Sequence, residues 1–486
     1  MGHSALGPGY LLQVDAVFGP KAPPFIGGFY APIWAVEKAS VILFGGAVTG
    51  KLYLFIVLFF ASFLPMCVLR RLSWPAQVFA GALGVLNPWT YDRLVEGQWT
   101  VIASCDGLFL WLLVWDWLRQ RPTAIRALSL ALSTLIVVSF SPHFSGILLV
   151  LAVACLIGAR SWRSKAELRA LALATAASVV ALAPGAVLFF TGAHPLGLLD
   201  LFGLYGYWGE RLGRFPVATA HWWWIPAAGV LVGLSVAGAF IDRRRAWLLA
   251  AGYFGIAVSL VLAANWGTTA FGWLAQHVSP LRGYREPEKW SALWLVALVC
   301  LGAVAVSAVH RARPIAPPLR AVAVAVAFLA VVVPGATEMH GAGSLLVPLR
   351  YPSGWYAASR YLSGAESPGA RVLVLPWHLY ETLPFAGRRP VENPAPVFFP
   401  GHILSSQSDD IPGDSPGVLS PLTAERQLSA PCSLAAVVKR ERAQFVVVES
   451  AVGAEARSDV TRLISCGMVS EVRSAGVTVL GWPRGG

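Results

Sequence analysis

The sequence predicts a mostly helical, polytopic membrane bundle with a small α/β domain at its C-terminus. Three observations carry this. Hydrophobic residues make up 56% of the 486-residue chain and charged residues only 13%, about half the roughly 25% charge of soluble domains. The apolar residues gather into about ten runs that approach the ~20 residues needed to cross a bilayer core. From Tyr351 onward the pattern changes to short β-rich runs separated by helical stretches. The 20 Trp, 47 Gly and 34 Pro fit the same class, since membrane helices tolerate Gly and Pro and place Trp at the interfaces.

Residues 1–50 read as a first segment outside the bundle. Within it 29–50 is apolar but contains Glu37 and Lys38, which suggests an interfacial helix. The bundle, residues 51–337, holds candidate spans at 51–69, 74–91, 99–118, 124–140, 144–158, 171–191, 223–241, 246–265, 290–309 and 320–334. Residues 338–486 form the α/β domain, with strands expected at 371–375 (RVLVL), 444–448 (QFVVV) and 477–480 (VTVL). Helices are expected there at 353–362 and 433–442. Between them 384–421 is rich in Pro, Gly, Ser and Asp and reads as a long irregular loop, which in a compact domain is often functional.

Charge sets the orientation. Every second loop is basic: Arg70 and Arg71; Arg119, Arg121 and Arg126; Arg160, Arg163, Lys165 and Arg169; Arg243, Arg244 and Arg245; Arg311, Arg313 and Arg320. Only Glu167 and Asp242 oppose them. The intervening loops balance Arg93, Arg211, Arg214, Arg282, Arg285 and Lys289 against Asp92, Glu96, Asp200, Glu210, Glu286 and Glu288. The positive-inside rule puts the basic set in the cytoplasm and the C-terminal domain outside it. Much of the net charge of +12 is thus a topology signal. The basic residues form no stripe interleaved with aromatics, so a nucleic-acid partner is not expected.

Cys67, Cys105, Cys155 and Cys300 lie in or near apolar runs without metal-ligand spacing and read as small buried hydrophobes. Cys432 and Cys466 lie in the C-terminal domain, where an oxidising compartment would permit a disulfide. Their pairing is left open by sequence, because spacing alone does not bring two sulfurs together.

Polar residues on the outer face are the candidates for chemistry, since ionisable groups at a membrane are costly and usually have a reason. Asp15, in PGYLLQVDAVFGP, suits a general base toward an acceptor hydroxyl or a ligand to a metal; the alternative is a surface carboxylate beside the interfacial helix. In NPWTYDRLVEGQW, residues 87–99, Pro88 bends a helix end so that Asp92, Arg93, Glu96 and Gln98 emerge at the membrane surface. Arg93 there either pairs with an acid or clamps a phosphate. In SPLRGYREPEKW, residues 279–290, Arg282, Arg285 and Lys289 stand among Glu286 and Glu288. A lipid-linked phosphate at headgroup level needs such cations, and an ion-paired interface anchor would use the same residues. His143 lies in SPHF between two spans, and Tyr205, Tyr207, Trp208 and His221 mark an aromatic-rich outer loop. Phosphate-cradling Walker, Rossmann, HExxH and Cys-rich zinc patterns are missing from the sequence, and the basic loops are too short to hold a site.

With these residues in place, the chain resembles the large multi-pass membrane glycosyltransferases of the GT-C type, in particular archaeal and actinobacterial members and the YfhO-like proteins. PGYLLQVDAVFGP, NPWTYDRLVEGQW, SPHF and YREPEKW carry the resemblance, together with RVLVLPWHLY and VENPAPVFFPG in the C-terminal domain. The resemblance implies transfer of a sugar from a polyprenyl-phosphate carrier to a cell-envelope glycan or lipid on the outer face. It makes Asp15, the acidic residue of the first outer segment, the catalytic base. Donor phosphate or substrate would be held by Arg93, Arg282, Arg285 and Lys289, with Glu286, Asp92 and His143 beside them. No metal ligands are assigned, and a divalent metal is optional in this scheme. Around Asp15 the sequence lacks a second, paired acidic residue.

Two other classes compete with the enzyme. A lipid or glycan transporter would place polar residues at mid-membrane, whereas Asp106 and Asp116 lie toward the ends of their span. A non-catalytic scaffold that binds envelope partners through the outer domain is the other. An outward N-terminal segment without a signal-peptide core, residues 1–27 having none, further predicts a membrane helix encoded upstream of Met1. An in-frame stop codon immediately before Met1 in the gene would refute that.

Overall fold

The computed structural model describes residues 8–23, 31–159, 165–182, 224–263, 273, 287–365, 370–387, 390–406, 432–449, 453–474 and 476–483. The chain divides into two compact units, one of residues 26–33 and 53–345, the other of 1–25, 34–52 and 346–486. Each has its own core.

Helix α1 (Ala31–Phe44) stops at Gly45, whose φ of 77° lies in the left-handed region, and α2 (Gly46–Val68) follows at once. The first span therefore begins at Gly46, ahead of the Lys51 start expected from hydropathy. The stretch 74–91, expected as one span, is two helices: α3 (Trp74–Val85) and α4 (Pro88–Glu96). Asn87 makes the break. Its side-chain oxygen accepts from the Thr90 N–H at 2.9 Å, and its Nδ2 donates to the Leu83 and Gly84 carbonyls at 2.8 and 3.2 Å. One side chain thus caps the N-terminus of α4 and the C-terminus of α3, and Pro88 at the first helical position gives up no needed N–H. Where Pro88 was expected to bend a helix end, it starts a new helix.

The helices that follow are α5 (Trp99–Gln120), α6 (Ala124–Phe140), α7 (Phe144–Ala159), α8 (Lys165–Leu182), α9 (Trp224–Ile241) and α10 (Ala246–Ala263). A 3₁₀ turn at Pro287–Ser291 leads into α11 (Ala292–Arg311), and α12 (Pro317–Leu345) completes the unit. Among the described residues, four helices are long and apolar enough to cross a membrane: Gly46–Val68, Trp99–Gln120, Glu288–Arg311 and Pro317–Ala336. Four shorter apolar helices join them, at Ala124–Phe140, Phe144–Gly158, Ile225–Ile241 and Ala246–Leu262. The expected span 171–191 falls partly in α8, and its residues from 183 on lie outside the described set.

Helix α11 is the centre of this unit. It is buried on every side from Ala292 to Ser307, as expected of a helix that is hydrophobic all round. Helices α3, α9, α10 and α12 pack against it. Small residues allow the closest approaches: a Cβ on Gly238 of α9 would come within 2.0 Å of the Leu301 carbonyl oxygen. Such contacts are how apolar helices associate when lipid is as apolar as they are.

The basic loop residues gather at one end of this unit. Arg71 lies 4.0 Å from Asp116, Arg119 pairs with Glu167 at 3.7 Å, and Arg311 donates to the Arg71 carbonyl at 3.3 Å. Helices α3, α5, α6 and α11 run between that end and the one holding residues 87–99, 141–143 and 287–291.

The other unit is built on a five-stranded sheet of order β4–β1–β5–β7–β6. Its strands are β1 (Arg371–Leu375), β4 (His402–Leu404), β5 (Phe445–Val448), β6 (Val469–Ser474) and β7 (Val477–Gly481). Strands β4, β1 and β5 are parallel, and β5, β7 and β6 antiparallel. Helix α13 (Ser353–Ala365) covers one face, where Trp355, Ala358 and Leu362 meet Val372, Val374 and Val447. On the other face Leu373, Leu375, Val446 and Val448 pack with residues of α15 (Ser433–Arg440) and α16 (Ala454–Ser465). Burial of both faces is why RVLVL and FVVV are apolar without alternation.

The expected loop over 384–421 is largely a correction. A 3₁₀ turn (Pro384–Ala386), β3 (Pro390–Glu392), helix α14 (Ala395–Phe398) and β4 occupy 384–404, while 407–421 lies outside the described residues. Strand β3 pairs antiparallel with β2 (Tyr380–Thr382), Tyr380 facing Glu392. The N-terminal residues belong to this unit as well. Tyr10 bridges Leu349, Leu12 bridges Val17, and buried Leu12 joins the core of Tyr351 and Trp355.

Cys432 and Cys466 are disulfide-bonded, joining the start of α15 to the end of α16. In urea-denatured membranes, a maleimide–PEG reagent is expected to add four groups before reduction, on Cys67, Cys105, Cys155 and Cys300, and six after it. Six additions before reduction would show the pair to be free. Closing a 34-residue separation stabilises the fold by about 3–4 kcal/mol in the chain-entropy account, so Cys432→Ala should lower the melting temperature by several degrees.

Candidate functional site

The predicted site residues fall in two places, one in each unit. In the sheet unit, Gln13, Val14, Asp15 and Ala16 form a tight turn closed by the Gln13 N–H donating to the Ala16 carbonyl at 2.8 Å. The turn tips a hairpin of residues 10–18, whose flanks are tied by Tyr10–Leu349 pairing and by Phe18 N–H to the Leu11 carbonyl. Leu11, Leu12, Val14 and Phe18 are buried, so burial of the flanks fixes the hairpin and leaves half-exposed Asp15 at its tip.

The β2–β3 ribbon holds that tip. The Glu392 N–H donates to the Val14 carbonyl at 2.9 Å, and the Tyr380 hydroxyl donates to Asp15 Oδ1 at 2.9 Å. Glu392 is half-buried and Glu37, on α1, is half-buried too. Burial first, then the charges of Asp15 and Glu37, push the Glu392 carboxyl up to about 8, and burial pushes Glu37 up to about 7. Asp15 thus has acidic company after all, supplied by distant parts of the sequence. Sequence reasoning missed Tyr380 and Glu392 as site residues, although each sits inside a quoted motif, RVLVLPWHLY and VENPAPVFFPG.

In the helical unit the structure brings together three predicted clusters. Gly97, with φ of 87°, ends α4, and the Gln98 N–H returns to the Arg93 carbonyl at 2.8 Å, the usual left-handed termination. That turn aims Gln98 at Arg93, whose Nη1 donates to Gln98 Oε1 at 2.7 Å. Arg93 Nη2 pairs with Glu288 at 3.3 Å, both side chains almost fully buried. The guanidinium also lies 5.7 Å from the Trp89 ring centroid. Asp92 and Glu96 are buried on the same short helix. Arg93 is therefore an ion-paired, buried group, with α4 and the 287–291 turn joined through it.

Lys289 follows Glu288 and lies 3.3 Å from His143 Nδ1, which also lies 3.1 Å from Ser141 Oγ. A lysine ammonium only donates, so a charged Lys289 requires Nδ1 as the acceptor. Lys289 is buried and His143 half-buried. Arg282, Arg285 and Glu286 lie outside the described residues, as do Tyr205, Tyr207, Trp208 and His221. Among the described residues, no three His, Cys, Asp or Glu side chains group closely enough to hold a metal ion.

The sheet unit holds further buried acids that the sequence did not mark, Glu381, Glu449 and Asp459. Glu449, at the end of β5, is 1% exposed and neither carboxylate oxygen has a hydrogen-bond partner. Burial pushes it up to about 8.

No protein-family model matches the chain, and no curated protein matches its sequence. Solved structures do match. The cryo-EM structure of the arabinofuranosyltransferase AftD from Mycobacteria aligns with 98% of the chain at a TM-score of 0.62 and 16% identity. A point mutant of that enzyme aligns with 98% of the chain at 0.61 and 17%. The crystal structure of ArnT from Cupriavidus metallidurans aligns over 96% of this chain and 88% of that one, at 0.47 and 14%. The chain spans only 38% of the length of the mycobacterial enzyme. The fold is GT-C-like, a multi-pass membrane architecture with a small mixed-sheet domain.

Removing one partner of a buried ion pair strands the other charge, at about 3–5 kcal/mol. Arg93→Leu should therefore sharply lower the detergent-solubilised melting temperature measured by fluorescence size exclusion, and Arg93→Leu with Glu288→Leu should recover part of the loss. Equal loss in the single and double variants would mean that the pair is not what joins these segments.

Proposed function

We propose that this protein is a membrane glycosyltransferase. It moves a sugar from a polyprenyl-phosphate donor to a hydroxyl of a cell-envelope glycan or lipid, on the face of the membrane away from the cytoplasm. The observation that carries this reading is Asp15, held on a rigid turn by the Tyr380 hydroxyl and the Glu392 backbone. A carboxylate fixed in this way, with one oxygen engaged, is built to receive a proton at a defined position. The GT-C-like fold and the likeness to an arabinofuranosyltransferase support the reaction class.

In this mechanism Asp15 takes the proton of the acceptor hydroxyl while that oxygen attacks the anomeric carbon. The bond between the anomeric carbon and the phosphate oxygen breaks, its electron pair leaves with the polyprenyl phosphate, and the anomeric configuration inverts. The acceptor proton ends on the Asp15 carboxyl. In the helical unit, Lys289 with His143 beside it is a cation suited to a phosphate group. Arg93 acts differently from a phosphate clamp: paired with Glu288 and Gln98, it holds the segment that carries Lys289.

The outward placement rests on the basic loops. Arg71, Arg119, Arg311 and their neighbours share one end of the helical unit, which the positive-inside rule assigns to the cytoplasm. A disulfide in the sheet unit fits an oxidising compartment on the other side.

Membranes carrying the protein should transfer sugar from a polyprenyl-phosphate donor, with an arabinofuranosyl donor the first to try. Asp15→Asn should cut transfer by about 10²–10⁴-fold, the usual worth of a positioned base, and Lys289→Ala should raise the donor KM. Full activity in Asp15→Asn would remove Asp15 from the mechanism.

A further inference from the structure

Asp15 is the group on which the proposed reaction turns, and the structure surrounds it with residues drawn from the C-terminal domain. Tyr380 and Glu392 are direct cross-strand partners in the β2–β3 ribbon, on the same face. From that face the Tyr380 hydroxyl reaches Asp15 Oδ1 at 2.9 Å, and the Glu392 backbone reaches the residue before Asp15 at 2.9 Å. The ribbon is itself anchored: Val391, next to Glu392 on β3 and opposite Glu381, is buried in the core with Leu383, Ala386 and Phe398, and the Asn393 N–H donates to the Leu379 carbonyl at 2.7 Å. Lys21 of the N-terminal segment donates from its ammonium to the Phe399 carbonyl.

We propose that Tyr380 and Glu392 are positioning residues for the transfer reaction: the ribbon that carries them fixes the orientation and the charge state of the Asp15 carboxylate. The inference rests on the reading of Asp15 as the base. Tyr380 donates to one oxygen at 2.9 Å, which fixes the orientation of the carboxylate. Glu392 faces Asp15 on the hairpin, Glu37 on α1 and Tyr380 across the ribbon. Of two neighbouring carboxyls one ionises first and the other holds its proton to higher pH. Glu392 is the one that holds it, retaining a proton up to about 8. While it does so, Asp15 works beside a neutral neighbour. Above that pH a second negative charge appears next to the base and the anionic leaving group, and turnover falls.

The test uses the full-length protein in detergent or native membranes, with the polyprenyl-phosphate sugar donor of the transfer assay, followed across pH 5–10 (a window set by roughly two units either side of the carboxyl shift). Tyr380→Phe should lower kcat about tenfold, the worth of one hydrogen bond to a charged group, and leave the acceptor KM nearly constant. Glu392→Gln, which mimics the protonated acid, should move the alkaline limb upward. Profiles that superimpose on the parent in both variants would overturn the inference while Asp15→Asn still abolished transfer.

A second readout needs no turnover. A carboxyl that keeps its proton in the folded state loses stability as pH rises from the ordinary carboxyl range to about 8. Melting temperature should therefore fall over that window, Glu392→Gln should flatten the fall, and Asp15→Asn should shift it to lower pH by removing the facing charge. If transfer persists in Asp15→Asn, the enzyme reading fails. If instead the melting curves of Asp15→Asn and Glu392→Gln keep the parent's pH dependence, the coupling itself fails.

Discussion

The constraint that organises the helical unit is a pair of charges with nowhere to go. Arg93 and Glu288 are both almost fully buried and lie 3.3 Å apart. A lone charge at either position would cost several kcal/mol, so α4 and the 287–291 turn are placed together. The rest of the local architecture serves that placement. Asn87 ends α3 and starts α4 so that the chain can turn sideways, and Gly97 ends α4 so that Gln98 swings back to Arg93. On the other side, Gly255 of α10 lets the backbone of Trp290 approach, a Cβ there lying 2.5 Å from its carbonyl oxygen. Lys289 is then delivered to His143 as a consequence of where Glu288 must be.

The sheet unit solves a different problem with comparable economy. A sheet buried on both faces needs apolar residues on both, and β1 and β5 supply them without interruption. Such strands offer no polar side chains, so chemistry has to be carried at the periphery. The short ribbon β2–β3 is that periphery: its middle residue Val391 is buried while Tyr380 and Glu392 point the other way. Alternation over three residues is enough to make one face an anchor and the other a cradle. The hairpin of residues 10–18 docks by the same division, with apolar flanks inward and Asp15 at the tip.

How much of this could be read in the sequence follows from the strength of each local signal. Long apolar runs and the fully buried strands RVLVL and FVVV were legible because burial writes itself into composition. The break inside 74–91 was signalled by Asn87–Pro88, an N-cap followed by the residue best tolerated at the first helical position, but hydropathy overrode it. Strands β2, β3 and β4 are each three residues long and carry Pro, Glu or His, so neither alternation nor β-propensity rises above the surrounding Pro-rich composition. The candidate site was legible as residue types and illegible as a geometry. Asp15, Arg93, Lys289 and His143 were identifiable one by one. That Arg93 meets Glu288 across 195 positions, or Tyr380 meets Asp15 across 365, is written only in the tertiary packing.

The missing acidic partner of Asp15 shows why that distinction matters. Within its own stretch, PGYLLQVDAVFGP, Asp15 stands alone, and a search confined to the neighbouring sequence finds a single weak base. The fold brings Glu392 to it from elsewhere, and Glu37 to Glu392. Three ionised carboxylates held together would repel one another and an anionic donor as well. Burial of Glu392 and Glu37 raises both carboxyls above the ordinary carboxylate range, which eases that repulsion. In the proposed mechanism, a base supplied by one short hairpin is oriented by a domain more than three hundred residues downstream. The proposed chemistry then depends on the sheet unit folding correctly as much as on the residue that performs it.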